Sequence, residues 1–215
     1  MTEKEQSLAL QILTTEHFTL QTARSAFVSE STGRINLFLV AVSSGVVAIA
    51  FVGQTSRFGE PFFAFSLVVL ATLAFIGLAT YVRVQQTAVA EAMYERGMNR
   101  IRHFFVETVP DIQRYFVLSV HDDLAGTSQN EAIRGMRMQP LFTASGMINV
   151  VNAVLVGAFM SLLVAVTVKA GLLLDVGCGI AAALVTLVLQ LRHQTLQWKQ
   201  IEQIASAEFP TPSQA

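Results

Sequence analysis

Nineteen consecutive residues without a charge, Ile35 to Gly53 (INLFLVAVSSGVVAIAFVG), constrain this chain more than anything else in it. Eleven of them are Leu, Ile, Phe or Val, and each favours insertion into a bilayer by about 0.3–0.6 kcal/mol at the helix centre. The sum, roughly 5 kcal/mol on that scale, outweighs the modest costs of Asn36, Ser43, Ser44 and Gly45. A second uncharged run, Phe62 to Val82, has 21 residues. Both reach the roughly 20 residues that a 30 Å hydrocarbon core needs at a rise of about 1.5 Å per residue. Leu141 to Leu191 is almost continuously apolar, interrupted by Lys169, Gly171 and Asp175, and is too long for one span. A tight hairpin at those residues divides it into Phe142–Val168 and Leu172–Leu191. Lys169 then ends one helix and Asp175 enters the first turn of the next, each placed favourably for the helix dipole. The first hairpin repeats the pattern, with Arg57 before the turn and Glu60-Pro61 after it, proline suiting a first helical position. The expected fold is all-α: four transmembrane helices in two hairpins, 35–82 and 141–191, with cytosolic helical extensions.

Composition agrees. The chain is 53% hydrophobic and 13% charged, where a soluble domain carries about 25% charged residues. Too little polar surface remains to cover a globule in water. The net charge of −1 offers nothing to a nucleic acid duplex, which is not an expected partner. A single cysteine, Cys178, excludes an intrachain disulfide, a cysteine zinc site and a CxxC redox pair. The first span is not read as a cleaved signal, because 34 residues precede it and it is longer than a signal h-region.

Lys and Arg set the orientation. Three lie before the first span, seven between the hairpins and two after the last span, with one in each hairpin turn. Twelve of fourteen therefore share the side of the termini, and the positive-inside rule makes that side the cytoplasm.

On that side, residues 3–30 read as a helix, with Leu13, Leu20 and Phe27 seven apart. Only Gly33 interrupts it before the first span, so it is expected to continue into that span. Its stripe suits packing on a helix of the same chain or of another subunit. Segment 83–140 opens with a helix from Arg83 to Thr108, stopped by Pro110. Val89, Met93, Gly97, Ile101 and Phe104/Phe105 give it one apolar face. Asp111–Val120 reads as a short helix, and Gly126, Thr127, Ser128 and Asn130 mark a loop within the polar stretch to Gln139. In segment 192–215, His193–Ala207 extends the fourth span as a helix, and the final PTPSQA is expected to fray.

Three clusters are candidate sites. Arg96, Arg100 and Arg102 have the planar forks that suit phosphate, so they are candidates for an anionic ligand such as a nucleotide. Attraction to anionic headgroups, with local pairing to Glu95 or Glu107, is the commoner use of such a segment. His121-Asp122-Asp123 resembles a metal or hydrolase fragment but lacks further histidines at set spacing, so its aspartates are read as helix caps. Asn149 and Asn152 share one face of the third span. They are either pore-lining amides of an oligomer or hydrogen-bonding glue between helices. Small-residue pairs (Ala41/Gly45, Ala153/Gly157/Ser161, Gly177/Ala181) indicate close helix approaches, in cis or in trans. No ionisable residue and no proline lies mid-span, which argues against an energised transporter. No P-loop, catalytic, metal or cofactor signature is present, so the chain is not expected to be an enzyme.

At TTEHFTLQTARSAF (Thr14–Phe27), GRINLFLVAVSS (Gly33–Ser44) and YERGMNRIRHFF (Tyr94–Phe105), the chain resembles a group of uncharacterised bacterial four-helix integral membrane proteins. In plan it is also similar to membrane effectors of bacterial anti-phage signalling, in which a cytosolic nucleotide opens an oligomeric pore. The resemblance implies an inner-membrane homo-oligomer, a channel or effector gated from the cytosol by a nucleotide or protein partner. The alternative is a non-conducting scaffold whose cytosolic helices dock another protein.

Overall fold

The computed structural model of the chain describes residues 2–130, 143–169, 171–204 and 206–212. The described residues are helical with no strand: α1 (Glu3–Thr55), α2 (Glu60–Thr108), a 3₁₀ helix (Pro110–Tyr115), α3 (Leu124–Asn130), α4 (Ala144–Thr167) and α5 (Leu172–Ile204). All four apolar runs lie on helices long and apolar enough to cross a membrane.

The first and fourth spans continue into their extensions as expected, and the second does the same. Gly33 sits inside α1, and α2 runs unbroken past Arg83. An isolated glycine costs a helix only about 1 kcal/mol, which a helix of this length tolerates. Each hairpin turn reverses by the same device. Phe58 N–H donates to the Gly53 carbonyl and Lys169 N–H to the Val164 carbonyl, both across five residues. Arg57, Phe58 and Lys169 take positive φ to make these closures. Pro61 follows the first residue of α2, and Asp175 lies in the first turn of α5.

Two compact units emerge. The span unit (residues 31–85 and 137–196) centres on Phe38, Ile148, Leu70, Leu73 and Leu155. Its small residues work in cis. A Cβ at Gly45 would stand 2.7 Å from Leu73 Cδ1, and one at Gly157 would stand 2.8 Å from the Gly179 carbonyl oxygen. The partner in α5 is thus Gly179, two residues from Gly177 and on the opposite side of the helix, where a Cβ at Gly177 would meet nothing within 4 Å. Leu37, Phe75 and Leu173 are largely exposed on the outer faces, as lipid-facing residues are.

The extramembrane unit (residues 1–30, 86–136 and 197–215) answers the question left by the Leu13/Leu20/Phe27 stripe. Its partner is α2 of the same chain. Leu20 packs where Gly97 leaves room, and the Phe27 and Tyr94 rings lie 5.5 Å apart. Arg24 pairs with Glu91 at 3.1 Å and with Glu95 at 3.5 Å.

Three expectations are corrected here. Residues 124–130 form a helix, not a loop. Asp123 caps it by accepting from the Gly126 N–H at 2.8 Å. Gly126 serves close packing: a Cβ there would fall on the His121 carbonyl. The rest of the expected loop, 131–139, lies outside the described residues. The helical extension of the fourth span ends at Ile204, short of Ala207. Beyond it Thr211 does not fray; its N–H and hydroxyl are both held by Asp123. Positions 213–215 lie outside the described residues.

Candidate functional site

Asn149 and Asn152 are buried inside the span unit, at 0% and 1% exposure. They face the interior of a single chain. α4 brings them there because Ser145, Asn149 and Asn152 follow a helical spacing of four and three, which aligns them on one stripe. Their neighbours are polar too, in three layers. In the layer nearest the ends from which α2 and α5 run on, Gln194 Nε2 donates to Ser145 Oγ at 3.2 Å. Next, Asn149 Nδ2 donates to Gln194 Oε1 at 3.3 Å. In the same region Tyr81 Oη donates to the Gln190 carbonyl at 2.8 Å and lies 3.0 Å from His193 Nδ1. Deepest is Asn152, whose amide lies against Gly77.

Several polar atoms in this seam have no hydrogen-bond partner among the described residues: both amide atoms of Gln85, both of Asn152, Asn149 Oδ1 and Gln190 Oε1. Each of these residues is more than nine-tenths buried. Leaving a buried amide unsatisfied costs about 1–3 kcal/mol, and such groups ordinarily hold internal water. By their spacing of four, Gly77, Tyr81 and Gln85 share one stripe of α2, eight residues or roughly 12 Å long at 1.5 Å each. One turn further the lining changes. Leu73, Leu155 and Phe38 are all buried and apolar, and Phe38 Cε2 would be 2.9 Å from a Cβ at Gly77. The interior is polar at one end and apolar at the other.

No protein family, curated protein or solved structure matches this chain.

The arginine cluster lies in the extramembrane unit, and its forks turn to internal partners. Arg100 Nε forms an ion pair with Asp122, and its Nη2 donates to the Ser206 carbonyl at 2.7 Å. Arg102 Nη1 donates to Asn99 Oδ1. Burial pushes the Arg102 guanidinium pKa down, with Glu95 opposing and Arg24 assisting. Burial also lowers His17, helped by the nearby Arg102 charge. Arg96 is almost wholly buried. Among the described residues no group of three or more His, Cys, Asp and Glu is placed to hold a metal.

Sequence reasoning missed Tyr81, Gln85, Gln190 and Gln194. The available signal was their i, i+4 spacing at the ends of apolar runs, where they read as span boundaries instead of as one internal stripe.

Proposed function

We propose that this integral membrane protein is a channel-type effector of the bacterial inner membrane in a closed state, gated from the cytoplasmic side that carries both termini. The observation that carries the reading is the change along the bundle interior from buried amides (Gln85, Asn149, Asn152) to an apolar plug (Leu73, Leu155, Phe38). Apolar constrictions close pores by excluding water, and polar linings hydrate them. The unbroken α1, α2 and α5 supply the coupling, since each extends beyond its apolar run. A signal read by the extramembrane residues, a nucleotide or a protein, then acts on α1 and α2, which carry Phe38 and Leu73 of the plug. The small residues left open on α5, Gly177 and Ala181, suit contact with another copy.

The test is ion flux from liposomes holding the purified full-length chain. Leu73→Ser hydrates the plug and is expected to raise basal flux at least tenfold. Adding Asn149→Leu and Asn152→Leu is expected to abolish that leak. If Leu73→Ser vesicles remain as tight as empty ones, the channel reading fails. The non-conducting scaffold then stands. One observation favours it: Asn149 and Gln194 are bonded to each other within the chain, as helix-joining amides are.

A further inference from the structure

Asp122 is completely buried, yet it is not spent on its own neighbourhood. Its carboxylate accepts from the main-chain N–H of Glu208 at 3.0 Å and of Phe209 at 2.8 Å. Asp122 N–H in turn donates to the Phe209 carbonyl at 3.3 Å. The next carboxylate, Asp123, accepts from Thr211 N–H and from Thr211 Oγ1, both at 2.8 Å. Residue 210 is proline, which has no N–H to satisfy. Every main-chain donor from 208 to 211 is therefore taken by one of two adjacent aspartates. Arg100 holds the Ser206 carbonyl, and the Phe209 ring stacks on His103 at 3.9 Å and 16°. This pattern reads a peptide bent at Glu208 and Phe209 through its backbone, adds one aromatic anchor, and within 208–211 accommodates proline where no N–H is held.

We propose that Arg100, His103, Asp122 and Asp123 form a peptide-binding site for a bent Ser-x-Glu-Phe-Pro-Thr segment, occupied by the chain's own residues 206–211 as an exchangeable ligand. The proposal is independent of the membrane function, because all of its groups lie in the extramembrane unit. Helix packing elsewhere in that unit, such as Leu20 on Gly97 and Arg24 on Glu91, does not use the tail. Release of the segment leaves that packing in place and exposes two carboxylates and an arginine fork already aligned for another chain. The tethered tail competes at an effective concentration in the millimolar range, so an incoming peptide binds readily only when the tail is weakened.

The experiment uses the full-length chain in detergent and the blocked hexapeptide Ser-Ala-Glu-Phe-Pro-Thr carrying a fluorophore. Phe209→Ala removes the tail's anchor, and the hexapeptide is expected to bind this variant at least tenfold more tightly than the wild type. Thr211→Val, which deletes one bond to Asp123, is expected to shift affinity in the same direction. Adding Asp122→Asn to Phe209→Ala is expected to abolish binding, and replacing Phe in the peptide by Ala to weaken it tenfold. Circular dichroism melts confirm that each variant is folded. Equal binding to wild type and to both tail variants, or no saturable binding to either folded variant up to several millimolar peptide, overturns the proposal and makes the tail a fixed part of the fold.

Discussion

The amide of Asn152 rests on the backbone of Gly77: a Cβ at 77 would overlap Asn152 Oδ1 and stand 2.9 Å from Phe38 Cε2. Three helices meet at this point because one residue has no side chain. Asn152 and Phe38 are each 1% exposed, so neither has room to swing away. Gly77→Ala is therefore expected to destabilise the span unit by about 1–3 kcal/mol, the usual cost of overpacking. Thermal unfolding in detergent checks this, with Gly33→Ala as a control, since a Cβ at 33 meets nothing within 4 Å.

The Asn149–Gln194 bond calls for a double-mutant cycle. Asn149→Leu strands Gln194 Oε1, and Gln194→Leu strands Asn149 Nδ2. Each single change is expected to cost about 1 kcal/mol, and the double change less than their sum, with a coupling near the 0.6 kcal/mol typical of membrane hydrogen bonds. Strict additivity in unfolding measurements removes the interaction.

Acid should detach the tail. Burial alone raises the Asp122 and Asp123 carboxyls, but the N–H groups of Glu208 and Phe209 with Arg100, and those of Gly126 and Thr211, more than offset it, so both sit below the usual carboxylate value. A depressed native pKa contributes stability above the unfolded value, about 4, and loses it as pH falls through the lower native value. The tail is thus expected to stay attached from neutral pH down to about 4 and to come free only below that. Amide exchange at Phe209 reports the release, and Asp122→Asn is expected to show the same fast exchange at pH 7.

Cys178 provides a test of self-association without mutation. It is the chain's single cysteine and is exposed beside Gly177 on α5. If copies meet through this face, oxidation in native membranes yields a disulfide-linked dimer, read on a non-reducing gel. Gly177→Leu is expected to reduce the dimer band severalfold. A wholly monomeric band under oxidation counts against contact through α5.

The spans were legible in the sequence because uncharged runs of about 20 residues have one stable home, and dipole-matched charges at Lys169 and Asp175 mark a turn by local chemistry alone. Helical spacing likewise put Leu13, Leu20 and Phe27 on one face, and Asp123 was readable as a cap. None of those inferences needs a partner's coordinates. The partners themselves came from the tertiary structure. Asn149 faces Gln194, 45 residues away; Asp122 holds Phe209, 87 residues away; Arg100 turns to Asp122 and Ser206. A side chain's chemistry is written in the chain, but whether it meets lipid, water or another amide depends on which helix folds back beside it. One-dimensional periodicity carries no record of that.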